Sequence, residues 1–136
     1  MIRPANPDDA PVVARLLAEL GYPSEVAAVR ERITATDLVL LSEPDAGLVA
    51  LQRVPRLAEG GCFVRVTALV VAPSSRRNSL GRMLLLAAEE AARMWGAEMV
   101  EISCGRRPER DAAHRLYRSA GYADAADVSV RYRKPL

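Results

Sequence analysis

In the stretch Val70-Val71-Ala72-Pro73-Ser74-Ser75-Arg76-Arg77-Asn78-Ser79-Leu80-Gly81-Arg82-Met83-Leu84-Leu85 an apolar, β-branched run stops at a proline. A polar turn with two arginines follows, and a helix then opens with a glycine in its first turn. The first backbone N–H groups of a helix have no partner within it and sit at the positive end of its dipole. Placed beside clustered arginines, they make a site suited to a phosphorylated ligand. There is no Gly-Lys-(Ser/Thr) for a nucleotide with magnesium, so the stretch is not a P-loop, and it lacks the Rossmann glycine fingerprint.

Around this stretch, the composition narrows the function classes. A chain of 136 residues makes one domain, 1–136, with a sizeable core. Half of its residues are hydrophobic and 26% are charged, the balance of an ordinary soluble protein. The longest apolar runs, such as Met83 to Ala88, are too short to cross a bilayer, and Met1-Ile2-Arg3-Pro4 lacks the layout of a signal peptide. Cys62 and Cys104 stand alone, and a single histidine excludes a multi-histidine metal site. No metal, no membrane and a cytoplasmic location are expected. A net charge of +2 without a dense basic stripe, and few aromatic residues for stacking, argue against nucleic acid. Arg65, Arg106, Arg107, Arg131 and Arg133 are too dispersed to form such a stripe.

Hydrophobic periodicity supplies the remaining elements. Ile2-Arg3 reads as a short edge strand, and Asn6-Pro7-Asp8-Asp9 as the start of a helix carrying Val12, Val13, Leu16, Leu17 and Leu20 and ending at Gly21. Ser24-Glu25 caps a second helix to about Ile33. Strands are expected at Leu38 to Ser42 and Leu48 to Val54, joined by the turn Glu43 to Gly47. Cys62 to Val71 is the longest strand and, being nearly all apolar, an interior one. A helix from Leu80 to Trp95 closes at Gly96, and a strand spans Met99 to Cys104. A last helix covers Asp111 to Ala120, and Val128 to Arg133 ends the chain as a strand. The fold class is α+β, mostly antiparallel, with one βαβ unit at its centre.

Two motifs resemble those of the GNAT superfamily of N-acetyltransferases. The loop is similar to its pyrophosphate motif, (Arg/Gln)-x-x-Gly-x-(Gly/Ala), with Arg76, Ser79 and Gly81 at the first, fourth and sixth positions. The helix Ala113-His114-Arg115-Leu116-Tyr117-Arg118-Ser119-Ala120-Gly121-Tyr122 resembles its later motif, an alanine and a tyrosine four residues on in a helix ending Gly-(Phe/Tyr). Element order matches end to end. The resemblance implies the GNAT fold, a mixed sheet with splayed central strands flanked by helices, and transfer of an acetyl group from acetyl-CoA to a primary amine of a small molecule or peptide. Attack is direct, in a ternary complex, and family members often pair as homodimers.

By that resemblance, backbone groups of Leu69, Val70 and Val71 hold the pantetheine arm, and Arg76, Arg77, Asn78, Ser79, Leu80, Gly81 and Arg82 wrap the pyrophosphate. Tyr117 is the acid that protonates the departing thiolate, a suitable donor because a phenol titrates at about 10. Arg110 stands where many members carry a pantetheine-binding asparagine, and His114 contacts the coenzyme, packs the helix or serves as a base. Ser79 and Arg77 occupy places where glycines are common, and Arg77 either meets a phosphate or faces solvent. Thr67 replaces the family's frequent glutamate base. The base role is open to Glu101, Glu25, Asp124, Asp127 or a water relay. Tyr22, Glu25, Asp124 and Asp127 would wall the acceptor pocket, a setting for a cationic amine. The alternative is a catalytically silent acyl-CoA-binding module on the same fold.

Overall fold

In the computed structural model, residues 1–76, 79–103 and 110–136 are described. They form two compact units, Met1–Ser103 and Cys104–Leu136. The first is built on a five-stranded sheet in the order β1 (Ile2–Pro4), β2 (Leu38–Ser42), β3 (Gly47–Pro55), β4 (Cys62–Val71), β5 (Val100–Ile102). Neighbours are antiparallel except β4 and β5, which run parallel. Because side chains alternate along a strand, each face of the sheet carries its own core. Helices α1 (Ala10–Leu20) and α2 (Val26–Ala35) pack Val13, Leu16, Val29 and Ile33 against Leu41, Leu48, Val70 and Ala72. Helix α3 (Leu80–Met94) covers the other face, with Leu84, Ala88 and Ala92 against Leu40, Val49, Leu51, Val64 and Val66.

Local chemistry sets the element ends. Asn6 and Asp9 form a reciprocal capping box around a 3-10 turn, Pro7–Asp9, that leads into α1. Gly21 ends α1 in the left-handed region, φ +100°, where its N–H reaches back to Ala18 and Leu17. Ser42 is the buried polar residue of this core: its hydroxyl donates to the Pro44 carbonyl and accepts from the N–H groups of Ala46 and Gly47, closing the β2–β3 turn. The expected Ser24 cap is not made. Ser24 Oγ donates to the Tyr22 carbonyl and accepts from Arg32, while Glu25 precedes α2 without a side-chain cap.

One strand departs from simple alternation. Ala50 pairs with Ala68 and Leu51 with Val66, so Thr67 is an extra residue, a β-bulge, on β4. The bulge inverts the parity of the strand. Val64 and Val66 face α3 before it, and Leu69 and Val71 face α3 after it.

The second unit contains α4 (Asp111–Ser119), half-buried along Ala113, His114, Leu116 and Tyr117 and closed by Gly121 at φ +93°. The expected strand at Val128 to Arg133 is absent. Val128, Val130 and Tyr132 keep the alternation, but they are exposed and have no ladder partner among the described residues. Alternation alone does not make a strand; a neighbouring edge must supply the hydrogen bonds. No helix among the described residues is long and apolar enough to cross a membrane.

Candidate active site

The site begins where β4 loses a neighbour. Its pairing with β5 runs Val64↔Val100, Arg65↔Glu101 and Val66↔Ile102, and stops there. Among the described residues, β4 from Ala68 to Val71 pairs with β3 alone. The Ala72 N–H donates to the Ala46 carbonyl at 2.7 Å, which directs even-numbered residues 68 and 70 toward β3. The backbone groups of Leu69 and Val71 therefore point the opposite way, along the open edge. Val70 is 3% exposed and packs into the α1/α2 core.

That edge leads directly to a helix N-terminus. After Ala72 a 3-10 turn, Pro73–Ser75, reverses the chain. Arg76 folds back, and its Nε donates to the Val71 carbonyl at 3.2 Å. Ser79 is the N-cap residue of α3 at φ 61°, ψ 14°, the one non-glycine residue with positive φ among those described. An L-residue with a side chain costs about 1 kcal/mol there, so the turn demands this conformation and a glycine would hold it with less strain. The first helical bond runs from Met83 N–H to the Ser79 carbonyl, 3.0 Å. The N–H groups of Leu80 and Gly81 precede that bond and belong to the first turn, which has no acceptor within the helix. Leu80 packs into the α3 core and Arg82 is exposed. Arg77 and Asn78 lie outside the described residues.

Gly47 seats this helix against the sheet. A Cβ at Gly47 would lie 2.9 Å from the Val70 carbonyl oxygen, 3.0 Å from Leu84 Cδ1 and 3.1 Å from Leu80 Cδ2. Only glycine lets β3, β4 and the first turn of α3 approach this closely. Sequence reading places Gly47 in a turn and misses this role, because the neighbours that require it are distant along the chain.

Other expected positions separate by unit. Thr67 is exposed and makes a long hydrogen bond, 3.5 Å, from its hydroxyl to the Ala50 carbonyl. The Glu101 carboxylate accepts from Arg65 Nη2 at 3.3 Å. Tyr22 is 61% exposed in the α1–α2 connection, three residues before the exposed Glu25. In the second unit Arg110 is the N-cap residue of α4, and His114 and Tyr117, three apart, share one half-buried helix face. The Tyr117 ring meets Tyr122 edge to face, centroids 6.4 Å apart at 63°. The Tyr122 N–H donates to the Tyr117 carbonyl, so the Gly121 turn holds the two rings together. Asp124 accepts from the Ala126 N–H and is used in a local turn; Asp127 is exposed.

Comparison with known proteins agrees with this architecture. Residues 39–122 match the Acetyltransferase (GNAT) family. The chain is 35% identical over 85 residues to an aminoalkylphosphonate N-acetyltransferase of Salmonella typhimurium, a match covering 62% of this chain and 54% of that protein. It therefore spans about half the length of this curated relative. The fold is similar to that of an Arthrobacter sp. FB24 protein described as an acetyltransferase, with 27% identity, TM-score 0.80 and coverage of 100% of this chain and 96% of the other. It is also similar to that of a ribosomal-protein-alanine N-acetyltransferase of Brucella melitensis biovar Abortus 2308, at 19% identity and TM-score 0.82 over 98% and 99% of the two chains. A strand that parts from its neighbour and runs into a tight left-handed turn at a helix N-terminus, together with the sequence match across most of the sheet and α4, shows that this chain belongs to the GNAT acetyltransferase family.

Proposed function

We propose that the chain is an acetyl-CoA-dependent N-acetyltransferase, with residues 1–136 working as one catalytic domain on a small or peptidyl primary amine. The observation that carries this reading is the continuity from the open β4 edge at Leu69 and Val71 to the α3 N-terminus. The edge offers strand-like hydrogen bonds to an amide-bearing arm, and the open first turn offers N–H groups to a diphosphate. Those two needs are the ones coenzyme A presents, so the residues present fit the group. Bound acetyl-CoA supplies an acetyl group activated as a thioester.

The protein's own residues then have distinct tasks. The backbone of Leu69 and Val71 would hold the arm, and the Val71 N–H would serve as an electrostatic stabiliser of the thioester oxygen. Arg76 braces the turn through the Val71 carbonyl, and amides from residue 79 to 82 bind phosphate oxygens. Tyr117 Oη would hold the proton that the departing thiolate takes up. At the position of the family's usual glutamate, Thr67 cannot take a proton at neutral pH, and Glu101 is engaged with Arg65. The amine proton would therefore leave through water or through a carboxylate, with Glu25, Asp124 and Asp127 as the candidates. The Salmonella relative carries aminoalkylphosphonates in its name, so such amines join polyamines and lysine peptides as the acceptors to test first. Thr67 favours a second reading, a coenzyme-binding module without turnover.

Isothermal titration with coenzyme A, followed by a thiol-release assay across that amine panel, tests the proposal. Binding with turnover on at least one amine is expected. No heat at millimolar coenzyme refutes the reading, and binding without turnover on any amine selects the silent module.

A further inference from the structure

At the point where β4 and β5 separate, the last two register pairs are Arg65↔Glu101 and Val66↔Ile102. Val66 and Ile102 face the α3 core, so Arg65 and Glu101 lie on the opposite face of the sheet. Their side chains bridge the two strands through Arg65 Nη2 and Glu101 Oε2 at 3.3 Å. The guanidinium also stands over the Phe63 ring, 5.3 Å from its centroid, which is two residues back on the same face. Its Nε is enclosed with no acceptor among the described residues. The pair itself is partly exposed, with both side chains 37% accessible, while the Nε end of the guanidinium is covered.

The bridge adds a side-chain tie to β5, a short strand otherwise held by its ladder with β4 and by Val100 and Ile102 packing toward α3. The strand is three residues long, Val100–Ile102, and its described ladder partner is β4 on one side. Backbone bonds secure its entry, from Val64 N–H to the Met99 carbonyl and from Glu98 N–H to the Cys62 carbonyl. At its exit, beside the bulge, the Arg65–Glu101 pair joins the side chains of the two strands. We propose that this pair is the pin that fixes where the two strands part, and so fixes the inner end of the groove that receives the coenzyme arm. Arg65 and Glu101 are positioning residues that act through the β5 backbone. This rests on the proposed coenzyme-binding function, and it assigns Glu101 to holding the cleft in place of taking a proton.

The test compares Arg65→Ala, Glu101→Ala and the exchanged pair Arg65→Glu/Glu101→Arg with the wild type. Coenzyme A titration and amide hydrogen exchange at Val100 to Ile102 are the two readouts. A cross-strand ion pair is a modest interaction, so each single variant should bind coenzyme A about three- to fivefold more weakly. Each should also exchange the Ile102 amide faster, with KM for the amine unchanged. The exchanged pair should return to within about twofold of wild type on both measures, even if the single variants are less stable. Arg56→Ala, which removes the exposed Arg56–Glu98 pair (2.8 Å) at the other end of the sheet, should leave coenzyme affinity unchanged. Single variants with wild-type affinity and exchange overturn the pin, as does an exchanged pair as weak as the singles. A wild type that binds no coenzyme A overturns the proposed function itself, and the pin with it.

Discussion

Gly47→Ala is the substitution for which the structure sets the most definite expectation. Carbon atoms in contact prefer about 3.5–4.0 Å, and the added methyl would meet Leu84 Cδ1 at 3.0 Å, Leu80 Cδ2 at 3.1 Å and the Val70 carbonyl oxygen at 2.9 Å. The carbonyl belongs to a paired strand and Leu84 is fully buried, so neither yields easily. Overpacking of this kind costs about 1–3 kcal/mol. Alanine also restricts the unfolded chain, which returns about 0.4–1 kcal/mol. Gly47 is not among the positive-φ glycines, so no backbone strain is added. The net expectation is a loss of about 1–2 kcal/mol, or roughly 3–8 °C in Tm for a chain of this size. Leu80 opens α3, so the first turn must tilt away from the sheet, and coenzyme A affinity should fall several-fold with stability. Thermal unfolding followed by circular dichroism, with titration of the folded variant, measures both. Gly96→Ala is the control: at φ +73° with nothing within 4 Å of its Cβ, it should lose about 1 kcal/mol to backbone strain alone and leave coenzyme affinity intact. A Gly47→Ala protein as stable as wild type would refute the close-packing argument.

Ser79→Gly removes a left-handed serine and should raise stability by about 0.5–1 kcal/mol in urea titration with coenzyme affinity maintained; a lower urea midpoint would mean that the side chain contributes more than the strain costs. Arg3 binds Asp9 through two hydrogen bonds, and with the Asn6 N–H it holds the Asp9 carboxyl down at about 2 from 3.8. A depressed carboxyl stabilises the fold above its unfolded pKa and loses that contribution as pH falls through the folded value. Wild type should therefore lose about 1 kcal/mol between pH 4 and pH 2, after allowance for solvent screening, and Asp9→Asn should flatten that part of a Tm-against-pH curve. Parallel curves for the two proteins would exclude Asp9 as the titrating group. Tyr117→Phe should lower kcat by about 100-fold while coenzyme A still binds; an unchanged kcat removes the phenol from proton transfer.

Where local chemistry settles conformation, the chain is readable from its residues. Asn6-Pro7-Asp8-Asp9 starts a helix because its own side chains satisfy its own N–H groups, and Gly21 and Gly96 stop helices because they adopt positive φ. Leu38–Ser42 and Cys62–Val71 are strands at the expected bounds, and Ser79, Leu80 and Gly81 lie at the start of α3 as expected. Val128 to Arg133 shows where such reading fails: its apolar alternation is right for a strand, yet a strand exists only when another backbone pairs with it.

The α+β order and the junction from loop to α3 are legible in local patterns, since periodicity, capping and turn chemistry act over a few residues, while the expected role of Tyr117 comes from the family resemblance. Tertiary structure alone decided the bulge at Thr67, the parity change that turns the backbone of Leu69 and Val71 outward, the close seat at Gly47 and the pairing of Arg65 with Glu101. Each of these depends on which residue of a distant segment stands opposite, and register between strands is set by the packing of both sheet faces at once.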